Sequence, residues 1–255
     1  MARRAASTGR QLPPPLPPGE RTVGQLVGEA IRTYGRNPWR SLAIGVPVAV
    51  VNALVWAVPG SGQIIIAAAG ALLITVSYLV ACSIVTEHPL GSRNALVAYA
   101  LGVLIFVPFP FLAALFILPG LIWLSLFGLA VPAALVEGLG VRAALLRGVR
   151  LARVDFVHVL GGLATLALVV FLTQASLFFV LREFAENTRI AAATLASIVV
   201  SPLVFLGAAL LYVDQEARLR SLSKRREERD ADVPDAHHAD RKGNSDAARE
   251  PRPSA

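Results

Sequence analysis

The chain has 255 residues, of which 55% are hydrophobic and 16% are charged, and its mean hydropathy is +0.61. This composition excludes a water-soluble domain of the usual kind and favours a membrane protein. The net charge of +7 does not require a nucleic-acid partner, because basic residues beside membrane spans face anionic lipid. The single cysteine, Cys82, excludes a disulfide within the chain and a thiolate metal site.

Two different segments precede the first long apolar run. Residues 1–20 are basic and then rich in proline, which predicts a disordered arm. Residues 21–37 place apolar side chains at helical spacing and arginines on the other face. Thr22 is the expected cap of this helix, and Asn37-Pro38 is its expected end. We interpret it as an interfacial helix with its apolar stripe in the acyl boundary, the alternative being a helix packed on a soluble partner.

Six apolar runs follow, with lengths near the ~20 residues that a helix needs to cross a bilayer. The predicted spans are about residues 42–58, 64–85, 95–118, 121–136, 156–181 and 190–213. Pro108-Phe109-Pro110 is expected to interrupt the third span, and Pro119-Gly120 is the expected turn before the fourth. The sequence therefore predicts an all-α fold, a polytopic membrane bundle of six transmembrane helices.

A second basic segment lies between the fourth and fifth predicted spans. Residues 141–154 alternate apolar side chains with arginines, which predicts a second amphipathic interfacial helix. The membrane domain is expected to cover residues 21–220. Residues 221–255 are charged and lack an apolar period, which predicts a disordered cytoplasmic tail.

The arginines predict the orientation of the spans. Their clusters precede the first span, follow the fourth and follow the sixth, so one side of the membrane receives nearly all of them. The positive-inside rule then predicts a multi-pass plasma-membrane protein with both termini in the cytoplasm. The expected partners are anionic lipids, with a membrane protein or a second copy as a further candidate. The predicted lipid contacts are Arg32, Arg36, Arg142 and Arg153.

Three polar residues at the ends of predicted spans are candidate functional positions. Glu137 ends the fourth span, where it could be a proton or cation site. We favour a structural role for it, as the partner of Arg147 or Arg150 in the next helix. Tyr212 and Asp214 at the end of the sixth span present the same choice. The four histidines are scattered, and no catalytic set, metal site or cofactor is predicted.

Five segments resemble a bacterial six-span family, the glycerophosphoryl diester phosphodiesterase membrane domain and its stand-alone relatives of unknown function. They are GEAIRTYGRNP (28–38), PGLIW (119–123), VPAALVEG (131–138), AALLRGVRL (143–151) and LYVD (211–214). The resemblance covers about residues 20–220 and implies a membrane-embedded domain. It does not imply phosphodiesterase activity here, because the tail is too short for the soluble domain that follows the spans in some members.

Two classes of function remain open from the sequence. The first is a non-enzymatic scaffold or accessory protein in envelope or lipid processes, and the second is a small-molecule or ion transporter or channel. A transporter needs polar side chains at mid-span, and this chain has few. They are Asn52, Thr75, Ser77, Ser125, Thr165, Thr173, Gln174, Ser176, Thr194 and Ser197. We therefore favour the first class.

Overall fold

The computed structural model describes residues 17–91 and 93–232, with side chains up to residue 229. In this part of the chain all regular structure is α-helical, so the predicted all-α fold class is confirmed. Residues 1–16 of the predicted arm and the predicted tail beyond residue 232 lie outside the described residues. The helices are α1 (Val23–Arg36), α2 (Pro38–Ala57), α3 (Gly62–Ala69), α4 (Ala71–Thr86), α5 (Arg93–Phe106), α6 (Phe109–Leu115), α7 (Ile117–Phe127), α8 (Ala130–Glu137), α9 (Val141–Val154), α10 (Phe156–Val180) and α11 (Glu186–Asp232).

In the part of the chain that the structure describes, six helical segments are long and apolar enough to cross a membrane, which confirms the predicted number. Four of them are α2, α10, α11 and the pair α3–α4. The pairs α5–α6 and α7–α8 form the other two, at Arg93–Leu115 and Ile117–Glu137. Three of the six spans are thus made of two shorter helices.

The interruptions have local causes. Between α5 and α6 the chain breaks at Pro108, as the two prolines of that segment predict. Between α3 and α4 it bends at Gly70, where a Cβ atom would lie only 2.5 Å from Cγ1 of Val51. Glycine therefore lets α2 approach the second span closely at this bend.

The predicted turn at Pro119-Gly120 is wrong. Both residues lie inside α7, and the chain turns instead at Phe116, whose φ of −169° and ψ of 146° are extended. Pro119 is the third residue of α7, where the backbone N–H has no partner within the helix and its loss costs little. A proline therefore marks the first turn of a helix here.

Helix α1 begins as predicted, but its apolar stripe is not left to the lipid. The Thr22 hydroxyl accepts from Gln25 N at 3.4 Å, and Thr22 N donates to the Gln25 side chain at 2.9 Å, a complete capping box. Leu26 and Ala30 are fully buried in a core that also contains Leu206 of α11. The expectation that this stripe lies in the acyl boundary is therefore wrong for these side chains, because α10 and α11 cover them.

Helix α9 spans the residues predicted for it and also packs on protein. Ala144, Gly148, Leu151 and Ala152 are buried against the bundle, while Leu146 is 64% exposed. The small residues on the buried face let α9 lie close to α7 and α8.

The prediction of a disordered tail is wrong for residues 221–232, because α11 continues to Asp232. Arginine, lysine and glutamate dominate this segment, and all three are strong helix formers. Lys224 and Glu228 pair at 3.8 Å, four residues apart. A helix already formed in the sixth span propagates through such residues without a new nucleation step.

Candidate functional site

The predicted polar positions lie at one end of the bundle, which we call the basic end. Here α1, α9, the start of α5 and residues 212–220 of α11 meet. Arg21 lies 3.4 Å from Asp214, and a Cβ atom on Gly138 would lie 3.1 Å from Nδ2 of Asn94. Four segments that are far apart in sequence thus contribute charged or polar groups to one end.

Glu137 is the last residue of α8, and three elements meet at its carboxylate. Arg147 of α9 donates through Nε to both oxygens, at 2.8 and 3.0 Å. The Tyr212 hydroxyl of α11 donates to Oε1 at 3.1 Å. Gly138 follows with a φ of +66°, a left-handed conformation that suits glycine and ends the helix. The structure thus places Arg147, one of the two predicted partners, against Glu137.

Gly148 explains why Arg147 reaches this carboxylate. A Cβ atom at Gly148 would lie 2.6 Å from the backbone nitrogen of Ala130, a distance that no side chain tolerates. Helix α9 therefore crosses α8 with backbone nearly touching backbone at this point. This contact is at the first residue of α8, and the long side chain of the neighbouring Arg147 reaches from α9 to Glu137 at the last residue. The other candidate, Arg150, is exposed and forms no ion pair with a described residue.

Asp214 lies in a second group of charges at the same end. Its side chain is fully buried, and its Oδ1 atom lies 3.4 Å from Nη1 of Arg21. One turn later Arg218 forms an ion pair with Asp155 and donates to the carbonyl oxygen of Arg21 at 3.0 Å. Asp155 also caps α10 by accepting from His158 N at 3.1 Å. These contacts tie the start of α1, the α9–α10 junction and α11 together.

Arg21, Asp155 and Arg218 also belong to this group, and they were not among the positions predicted from the sequence. Two signals were available for part of it. Asp155 stands between an amphipathic pattern and an apolar run, where an N-cap is expected, and Asp214 and Arg218 are four residues apart on one helix face. Arg21 gives no such signal, because its partner Asp214 is 193 residues away.

The predicted lipid contacts divide into two kinds. Arg32 pairs with Glu29 on the same helix, although 38% of its side chain stays exposed. Arg36, Arg142 and Arg153 are exposed and have no ion pair among the described residues. These three side chains are free to contact a charged surface.

Chemically, the paired groups of the basic end are suited to holding helices together. Each buried or half-buried carboxylate has a guanidinium beside it, which offsets the free energy lost on leaving water. Within the described part of the chain, no three histidine, cysteine, aspartate or glutamate side chains come together as metal ligands would. Comparisons with protein families, with curated proteins and with solved structures found no match for this chain.

Proposed function

We propose that this protein is a non-enzymatic accessory protein of the plasma membrane that holds anionic lipid at its basic end. In this proposal both termini are cytoplasmic, and the basic end faces the cytoplasmic leaflet. The bundle supplies a stable platform, and the exposed arginines of that platform contact lipid phosphates. The protein then works through the lipids and proteins that it gathers.

The observation that carries the proposal is the division of the arginines at the basic end. The inward-facing ones are used in ion pairs with Glu137, Asp155 and Asp214. Six others are exposed and form no ion pair with a described residue: Arg36, Arg40, Arg93, Arg142, Arg150 and Arg153. Among the described residues of this end, two exposed carboxylates, Glu20 and Glu87, are likewise unpaired, so the exposed arginines outnumber them.

An anionic leaflet attracts a basic side chain at its surface by ~1 kcal/mol per residue. Guanidinium groups also bind phosphate through two parallel hydrogen bonds, which favours lipid headgroups over diffuse counterions. The same excess of arginine on one side is what orients a multi-span protein with that side inward. The charge distribution therefore supports both the lipid preference and the orientation.

The test compares two triple variants of the full chain in lipid nanodiscs. The first replaces Arg142, Arg150 and Arg153 of α9 by glutamine. The second replaces Lys224, Arg226 and Arg229, which are also exposed on α11. A helix rises ~1.5 Å per residue, which carries this second set ~15 Å or more past Asp214. That distance exceeds the ~8 Å Debye length at physiological salt, so this control removes equal charge away from the surface.

Anionic lipid that remains bound after extraction is measured by mass spectrometry, relative to zwitterionic lipid. The α9 variant should lose most of the anionic enrichment, since three contacts of ~1 kcal/mol each are removed. The α11 control should keep it. Unchanged enrichment in the α9 variant, or equal losses in both variants, would contradict the proposal.

One observation favours the alternative, transport of an ion or small molecule. Asn52, Gln174 and Ser197 come together in the apolar bundle, with the Ser197 hydroxyl accepting from Asn52 at 2.9 Å and from Gln174 at 3.1 Å. A polar cluster at mid-span is where a transporter binds its substrate. The test is the flux of ions or small molecules into proteoliposomes that contain the protein. A flux that disappears in Asn52→Leu, while the protein stays folded, would establish this alternative.

A further inference from the structure

The opposite end of the bundle contains a cavity of about 500 Å³ between α2, α10 and α11. This volume lies within the ~300–1,000 Å³ that small-molecule and cofactor sites occupy. Its walls are mainly aromatic and aliphatic. The lining residues are Trp56, Phe171, Gln174, Ala175, Leu177, Phe178, Phe179, Leu181, Glu186, Arg189, Ile190 and Ala193.

The cavity is open along the side of the bundle. Helix α10, which supplies half of the lining, has only 6% of its apolar window buried, against 44% for α11. Phe171 and Phe178 are 64% and 65% exposed, and Trp56 of α2 is 63% exposed. In a membrane these faces meet hydrocarbon, so an acyl chain can enter between the two helices without crossing water.

Two opposite charges stand in the lining, and neither has an ion-pair partner in the described part of the chain. The guanidinium carbon of Arg189 lies 5.8 Å from the centre of the Phe178 ring. Its Nε atom is buried and has no hydrogen-bond acceptor. Glu186 precedes it by three residues on α11, and their carboxylate and guanidinium are not paired with each other. Residues with this spacing lie ~5–6 Å apart on a helix surface.

We propose that this cavity binds a zwitterionic glycerophospholipid with a primary ammonium headgroup. The phosphate lies on the Arg189 guanidinium. The ammonium lies on the Glu186 carboxylate one turn away. One acyl chain runs between Trp56, Phe171 and Phe178. The site is separate from the basic end, and this inference does not rest on the proposed function.

The headgroup assignment follows from the charges of the lining. Phosphatidylglycerol has its one negative charge on the phosphate, so it offers Glu186 only neutral hydroxyl groups. A lipid with a second negative group would place it against Glu186, where like charges repel. A quaternary ammonium would reach Glu186 but could not donate a hydrogen bond to it, because it carries no N–H. A phosphate next to a primary ammonium gives both Arg189 and Glu186 a hydrogen-bonded partner of opposite charge. The polar side chain of the inner wall, Gln174, already has a hydrogen-bond partner, since its amide donates to the Ser197 hydroxyl at 3.1 Å.

The test uses the quenching of tryptophan fluorescence in the full chain, purified in detergent micelles. Phosphatidylethanolamine with brominated acyl chains is titrated at low mole fraction, and Trp56 reports a chain that enters the cavity. Saturable quenching is expected, and it should disappear in Trp56→Phe. Brominated phosphatidylcholine and phosphatidylglycerol should bind more weakly than phosphatidylethanolamine.

Variants separate the cavity from general partitioning into the micelle. Arg189→Gln should weaken binding of all three lipids about tenfold, the effect of losing a hydrogen bond to a charged group. Glu186→Gln should remove the preference for phosphatidylethanolamine over phosphatidylglycerol. Ala193→Phe should abolish the saturable component by filling the cavity. The matched control is Glu183→Gln, because this glutamate is exposed at the same end, pairs with its neighbour Arg182 and does not line the cavity.

Several results would overturn the inference. One is quenching that rises without saturation and is unchanged in Arg189→Gln, since the lipid then only mixes with the micelle. Another is binding with equal affinity for the three headgroups. A dimer detected by native mass spectrometry, with no lipid bound and with α10 cross-linked to α10, would assign this face to a second copy.

Discussion

The two ends of the bundle use charged residues in opposite ways. At the basic end, ion pairs and hydrogen bonds join residues 193, 75 and 63 positions apart in the chain. At the opposite end, the ion pair present among the described residues joins the neighbours Arg182 and Glu183, and Glu186 and Arg189 are not paired. Contacts between distant segments restrict how helices move relative to each other, whereas a pair of neighbours does not. Charged groups therefore cross-link distant segments at the basic end, and they do not do so among the described residues of the opposite end.

The same contrast appears in how closely the helices pack. At the basic end α9 meets α8 with Gly148 against the backbone of Ala130. At the opposite end α2, α10 and α11 surround a cavity of about 500 Å³. Close packing and cross-links fit an end that presents a fixed charged surface, and an open cavity fits an end that admits a ligand.

The largest effect is expected from a substitution that disrupts the close packing of the basic end. Gly148→Ala places a Cβ atom 2.6 Å from the Ala130 nitrogen, so α9 must move away from α8. We expect the free energy of unfolding to fall by ~1–3 kcal/mol, the usual cost of overpacking. The measurement is detergent-induced unfolding in mixed micelles.

Gly28→Ala in α1 is the matched control for that substitution. No atom lies within 4 Å of a Cβ at Gly28, and alanine is the better helix former. This variant should be neutral or stabilised by up to ~1 kcal/mol. Equal losses in the two variants would show that glycine at 148 is not required for packing.

A smaller effect is expected from the cross-links themselves, tested by one arginine from each end. Arg218→Gln removes the ion pair to Asp155 and the hydrogen bond to Arg21 O. Hydrogen bonds to charged groups contribute ~1.5–3 kcal/mol, and we expect the lower part of this range because Asp155 is 36% exposed.

Arg182→Gln removes an ion pair between exposed neighbours and a cation–π contact with Phe179, and it should lower the free energy of unfolding by ~1 kcal/mol or less. Chemical unfolding of the two variants side by side gives the difference between the ends directly. If Arg182→Gln destabilised the protein as much as Arg218→Gln, the ends would be equally cross-linked and the comparison would fail.

Small effects are also expected at Glu137, where they distinguish a structural carboxylate from a functional one. Glu137→Gln keeps an acceptor for Arg147 and should cost ~1 kcal/mol or less. Tyr212→Phe removes one hydrogen bond to the same carboxylate from a fully packed ring and should cost ~1 kcal/mol. Both variants should retain anionic lipid in nanodiscs as the unmodified protein does. If Glu137→Gln lost lipid retention while its stability was unchanged, Glu137 would instead be a functional residue.

The helices themselves could be predicted because their signals are local. Apolar length identifies six spans, and the 3.6-residue period identifies α1 and α9. Local signals gave wrong predictions where the same type of residue occurs in two kinds of structure. Pro119 resembles a turn but is tolerated in the first turn of α7, and the charged residues after Ser221 resemble a disordered tail but continue α11.

Only the tertiary structure decided which charges meet. Arg147 and Arg150 are three residues apart on α9 and are equally plausible partners for Glu137 from their spacing. The crossing of α9 over α8 at Gly148 selects Arg147 and leaves Arg150 exposed. Likewise, Asp214 meets Arg21 because α1 packs on α11. The sequence by itself determined the lengths and faces of the helices, since these follow from contacts a few residues apart. Which charged residues become partners depends on how the helices cross, and the crossings arise when distant segments pack together.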